Sequence, residues 1–227
     1  MKKIFIPLIF AFLLPISFSC GTAGKLGYNL TESDAASAIR QMLEIGGKQS
    51  LTGAFSKETI LSTLFPENIR KALNTLQTLG LTPEIDRFTT TLGTAAERAA
   101  ERSVPVVVNG ISRMSLTDAM RIVKSGGTSA TDYLRANVGS DLRKSITPVM
   151  QQVADEYKLS QQWDKLVSPI KVVFGNKLNL DLSNLMAGLV AEKMFQKMAE
   201  QEQLIRTQAS ARTTPLLQKV FSRDWSK

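Results

Sequence analysis

Few side chains in this sequence could do chemistry, and most of them sit in patterns with a plainer reading. Glu97 and Glu101 stand one helical turn apart, and paired carboxylates can divide acid and base work when their surroundings separate their pKa values. Arg98 and Arg102 lie directly beside them, which makes the pattern that of a solvated, salt-bridged helix face. Gly126, Gly127, Thr128 and Ser129 form the second candidate. Two flexible glycines followed by hydroxyl residues at a helix start leave amide donors free, and the helix dipole adds partial positive charge, so an anion or a partner could dock there. Arg121, Lys124 and Arg135 are close in sequence. Each half of the loop also reads as ordinary capping, and it lacks the strand and the lysine of a phosphate-binding P-loop. Met186, Met194 and Met198 could offer soft ligands, but they fall on an apolar stripe without His or Cys, so they are expected to fill the core. Asp118 and Asp132 are read as helix caps, and no metal or cofactor site is expected.

The chain of 227 residues contains no histidine and one cysteine. A Ser-His-Asp triad, a Cys-His pair, a His-ligated zinc, an internal disulfide and a zinc site with two thiolates are all excluded within the chain. A non-enzymatic role is the expectation that follows.

The lone thiol has a better use. Lys2 and Lys3 precede an apolar run from Ile4 to Phe18, broken only by Pro15 and Ser17. This is the layout of a secretory signal, too short for an ordinary spanning helix. It ends Ser17-Phe18-Ser19-Cys20-Gly21, which resembles the lipobox of bacterial lipoproteins, with Ser17 where leucine is usual. The resemblance implies acylation of Cys20 and cleavage before it, giving a signal at 1–19, a lipidated tether at 20–29 and a single domain at 30–227. Two or three acyl chains anchor firmly, at about 0.8 kcal/mol per buried methylene. Gly21 in place of Asp implies, by proteobacterial sorting rules, the periplasmic face of the outer membrane; a soluble periplasmic or secreted chain is the alternative. Loss of Lys2 and Lys3 lowers the net charge from +8 to +6. The remaining cations are scattered, so no nucleic acid is expected as partner, and an envelope protein or an anionic polymer is.

The body that must hold these residues reads as all-α. Apolar residues recur at helical spacing almost throughout, giving a compact assembly of about eight helices with short loops. Thr31 is expected to cap the first, Pro66 to be the first residue of another, and Thr82 to cap one that ends near Arg102, with Pro105 as a break. Val106-Val107-Val108, β-branched but without a partner run, is read as a separate helix reaching Met114. Ser115 with Asp118 and Ser129 with Asp132 suggest two capping boxes. A further helix is expected from Ser140 to Tyr157 with a kink at Pro148, then a less regular stretch from Ser160. Asp181 opens the longest helix, and a short one follows Thr213.

The stretch Met114-Ser115-Leu116-Thr117-Asp118-Ala119, then Gly126-Gly127 and Ala130-Thr131-Asp132-Tyr133-Leu134-Arg135, is similar to the central signature of a bacterial family catalogued as domain of unknown function 4197. Asp34-Ala35-Ala36, Gln161-Gln162-Trp163 and Glu192-Lys193-Met194-Phe195 follow the same pattern. The resemblance implies an export signal and a helical body and carries no activity, ligand or catalytic residue. The functional expectation is an envelope lipoprotein acting as a binding or scaffolding module. One alternative is a carrier whose methionine faces and Val106–Val108 segment enclose an apolar ligand; a more distant one is a histidine-independent hydrolase.

Overall fold

The computed structural model describes residues 29–223 and Trp225. The signal segment, Cys20 and most of the tether lie outside the described residues. Ten α-helical segments occur among the described residues, eight of them seven residues or longer, and no strand. In order these are α1 (Glu32–Gly47), α2 (Lys57–Thr59, continuing as a π-helical turn Ile60–Leu64), α3 (Glu67–Thr78), α4 (Thr82–Arg113), α5 (Ala119–Ser125), α6 (Ser129–Glu156), α7 (Leu159–Val167), α8 (Lys171–Phe174), α9 (Leu182–Thr207) and α10 (Pro215–Phe221). The expected all-α assembly is what forms.

Amphipathic spacing explains the architecture. α9 packs against α1 and α6, and α4 packs against α6, α9 and α1, so four long helices enclose one continuous core. Met186, Met194 and Met198 are buried in it, at 1–3% exposure, as is Val107 at 1%. α5 and α10 close one end against α1, while α3 and α7 flank the far part of α4. Trp163 of α7 donates from Nε1 to the Leu178 carbonyl at 2.8 Å and lies between Phe65 and Phe88, ring centroids 5.8 and 5.6 Å away. The stretch from Ser160, expected to be irregular, is therefore helical up to Val167.

Two expected breaks are absent. Pro105 lies inside α4, and the anticipated gap near Gly139-Ser140 is continuous helix within α6, which also runs through Pro148. A proline removes the hydrogen bond to the carbonyl four residues earlier. Here Pro105 and Pro148, and Glu101 and Lys144 four residues before them, are all exposed, so water can solvate the freed carbonyls. The opposite faces bury Ala99, Ser103, Val107 and Ile111 in α4, and Leu142, Ile146, Met150 and Val153 in α6. Packing on the buried face outweighs the local penalty, and the helices run through.

The caps divide in the same way. Thr31 accepts from the Asp34 amide at 3.1 Å and Asp181 from the Asn184 amide at 2.9 Å, as expected, although α9 is not the longest helix, α4 being longer because it continues through Pro105. The short helix expected after Thr213 forms as α10, capped by Thr214, which accepts from the Leu217 amide at 3.2 Å. Pro66 is the cap residue of α3 rather than its first helical residue, and Leu81, not Thr82, precedes α4. Neither capping box forms. Asp118 makes no cap bond and pairs with Arg121 at 3.0 Å, while Thr128, not Ser129, precedes α6.

Close helix approach sets a firm requirement at Gly46. A Cβ there would lie 2.6 Å from the Cα of Met198, a backbone atom of α9 that cannot swing aside. Gly46→Ala should therefore lower stability by about 1–3 kcal/mol in urea unfolding, although alanine by itself favours a helix interior by about 1 kcal/mol. A stabilised variant would show that α1 and α9 are not packed this closely.

Candidate functional site

The loop singled out in the sequence turns out to be one wall of a buried polar cluster. Gly126 and Gly127 have φ of +71° and +58°, backbone that glycine adopts without the Cβ penalty of other residues. These two residues reverse the chain between the C-terminus of α5 and the N-terminus of α6. Ser129 donates from Oγ to the Ile122 carbonyl at 2.8 Å, and Thr128 donates from Oγ1 to Asp132 at 2.9 Å. Both hydroxyls thus tie the elbow together.

The free amides expected at the start of α6 already meet an anion, supplied by the chain itself. Glu202 of α9, fully buried, accepts from the Ala130 amide at 2.9 Å, from the Thr131 amide at 2.8 Å and from the Thr131 hydroxyl at 2.8 Å. One turn on, Arg206 donates to Glu202 from Nε at 3.0 Å and Nη2 at 2.8 Å. The same guanidinium donates to the Val123 and Ile122 carbonyls at 2.9 and 3.1 Å and to Ser129 Oγ at 3.0 Å. Its other face lies 5.2 Å from the Phe221 ring of α10.

One i,i+4 ion pair on α9 therefore caps two helices at once. The carboxylate meets the positive end of α6 and the guanidinium meets the negative end of α5, each the favourable sense of the helix dipole. An external phosphate or carboxylate at Gly126–Ser129 would have to compete with Glu202 for the Ala130 and Thr131 amides. Sequence reasoning did not find Glu202 or Arg206. The available signal was the apolar stripe Met194, Met198, Ile205 with Glu202 at the position between the last two, and an arginine four residues beyond it.

The Glu97–Arg102 cluster is likewise absorbed by structure. Glu97 accepts from the Gly53 amide at 2.6 Å, Arg98 pairs with Glu101 at 3.1 Å, and Arg102 makes a two-pronged contact with Glu156 of α6 at 2.6 and 3.0 Å. The hydrogen bond from Arg102 holds the Glu156 carboxyl below its ordinary value of 4.5, and the same bond raises the arginine. Among the described residues no group of three or more His, Cys, Asp or Glu side chains is placed to hold a metal ion.

A separate concavity lies at the other end of the bundle. A groove of about 610 Å³ runs between the N-terminal part of α4 and α7, with Phe88, Leu166 and Pro169 among its walls and Glu84, Arg87 and Lys165 among its charged groups. It does not involve the methionines or Val106–Val108, the segment expected to line a carrier cavity.

Removing the Glu202 charge leaves buried donors and a buried guanidinium poorly matched, so Glu202→Gln should cost about 3–5 kcal/mol. Urea unfolding of the variant measures it; a loss near zero would mean that the pair is dispensable. For Glu156 the folded value is depressed, so its contribution is present above the unfolded value of 4.5 and fades as the pH falls through the folded one. The pair is exposed and its effect is small. Stability curves of wild type and Glu156→Gln should accordingly differ above pH 4.5 and converge on acidification, and a gap that widened in acid would reverse the assignment.

Comparison with known proteins adds a family and no activity. No curated protein and no solved structure matches the chain. A family model, described as a protein of unknown function, matches residues 29–222, which takes in α1 to α10, the Gly126–Gly127 elbow and Glu202. The chain thus belongs to the family of unknown function DUF4197.

Proposed function

We propose that this chain is a non-enzymatic binding or scaffolding module of the bacterial envelope, held to a membrane by acylated Cys20 and presenting its helical body on a short tether. The observation that carries the non-enzymatic part is the fate of the polar groups that sequence reasoning picked out. Glu97, Glu101, Asp118 and Asp132 are each engaged in local hydrogen bonds or ion pairs, and Glu202 is enclosed by five donor contacts. A catalytic acid or base needs reach to a substrate proton; Glu202 is instead spent on joining α6 to α9, and the other four are held in contacts within their own segments or, for Glu97, with the Gly53 loop. The anchor is supported by the Ser17-Phe18-Ser19-Cys20 segment and by where the body begins. Leu30, ten residues after Cys20, is already part of the core, so the intervening stretch with its three glycines has the composition of a flexible linker. Among the described residues no helix is long and apolar enough to cross a membrane, so attachment in this reading rests on the lipid.

Metabolic labelling with palmitate and crosslinking in intact cells test the two halves together. Wild type should take up label, remain with the membrane fraction and yield a reproducible crosslinked species, whereas Cys20→Ser should lose the label and persist as the longer precursor that keeps its apolar signal. Equal labelling of the two proteins would remove the anchor, and turnover of a substrate by the purified protein would remove the non-enzymatic reading.

A further inference from the structure

The α4/α7 groove is a built concavity that the capping network does not explain. Its volume of about 610 Å³ falls within the range of about 300–1,000 Å³ typical of small-molecule sites. The floor is rigid, because Phe88 is 3% exposed and packs against Trp163, which is itself fixed by its bond to Leu178. Leu166 and Pro169 extend the apolar wall. Above it stand Arg87 and Lys165, neither of which is engaged by a carboxylate among the described residues. With Glu84 the charged groups of the groove sum to one positive unit, which suits a single carboxylate.

A second observation points to the same region. Four large apolar side chains are exposed among the described residues, and three of them flank this groove in sequence. Leu79, 59% exposed, is two residues before Leu81 on the groove wall, and Val172 and Val173, 96% and 80% exposed, follow Pro169 within four residues. Isolated exposed apolar residues need no explanation; three of four standing within a few residues of the groove walls Leu81 and Pro169 is what draws attention to this concavity.

From these features we infer that the groove binds a single-chain alkyl carboxylate, with the chain along Phe88, Leu166 and Pro169 and the carboxylate between Arg87 and Lys165. This deepens the binding-module reading and rests on it. It also gives the molecule two ends. The residue that ends α4, Met114, is joined to α1 by the bond from Arg40 to its carbonyl at 2.9 Å, and α1 begins shortly after the tether ends. The groove lies at the opposite end of α4, about 40 Å along the helix axis, so a chain anchored through Cys20 carries its ligand site away from the anchor.

Calorimetric titration of laurate and of dodecanol into purified chain from residue 20 onward, produced without the signal segment and carrying Cys20→Ser, tests the inference. Laurate should bind saturably with one site per chain. Arg87→Glu with Lys165→Glu should weaken laurate by about tenfold or more, the worth of a charge-assisted contact, while leaving dodecanol nearly unchanged. Thr91→Trp, which places a large ring in the groove, should abolish both. Absence of laurate binding to the parent protein, or binding indifferent to the charge reversals and to Thr91→Trp alike, overturns the inference. Should Thr91→Trp fail to fold, the surface charge reversals decide alone. Such a failure leaves the anchored-module reading intact, since that depends on labelling, membrane retention and crosslinked partners.

Discussion

A single buried carboxylate organises one end of this molecule. Glu202 is fully enclosed and could not remain so unless every side of it met a donor, because burying an unpaired charge is among the costliest events in folding. Two amides, one hydroxyl and a guanidinium meet it. Those partners come from α6 and α9, and through Arg206 the cluster reaches α5 and α10, so the α5–α6 elbow cannot take another path without stranding a charge. The rest of that end follows. Arg212 donates to the Ile205 and Arg206 carbonyls at 2.8 and 2.9 Å, finishing α9, and Phe221 of α10 covers Arg206.

This arrangement explains why a loop with the marks of an anion site is part of the scaffold. Free amides, a helix dipole and flexible glycines do attract a carboxylate, and here the attraction is used within the chain. An internal ligand costs no translational freedom on binding, because the fold already holds Glu202 beside the amides. The polarity that would serve recognition on the surface serves specificity in the core instead, selecting one relative placement of α5, α6 and α9. Reactive-looking side chains elsewhere have similar fates. The Glu97–Arg102 segment spreads its contacts over the Gly53 loop and over Glu156 of α6, so that neighbours in sequence point to different partners in space.

With the capping end closed on itself, recognition is left to surfaces the network does not use. The α4/α7 groove has what the elbow lacks, namely an apolar floor, charged groups without assigned partners and exposed aliphatic residues nearby. The division into an end that joins the tether and an end that carries the concavity arises from the length of α4, which spans most of the bundle as one helix. That length exists because Pro105 sits on the solvent side. A proline two positions away, at Ser103 or Val107 on the buried face, would have freed a carbonyl inside the core and ended the helix.

Sequence alone determined the features that depend on local or periodic information. The absence of histidine bounded the chemistry, apolar spacing specified an all-α body, and Thr31 and Asp181 marked true helix starts because their partners lie three residues away. The same periodicity placed the methionines in the core. Only the tertiary structure decided that α4 continues through Pro105, because that depends on which side of the helix faces water. It alone decided what caps α6, since the donors at Ala130 and Thr131 and the acceptor at Glu202 are more than seventy residues apart. The α4/α7 groove was likewise invisible in the sequence, where Phe88 and Leu166 are ordinary core residues and Arg87 and Lys165 ordinary surface ones. Chemistry assigned from neighbours in the chain holds when the interaction range is a helical turn, and it fails when a buried charge from a distant helix competes for the same donors.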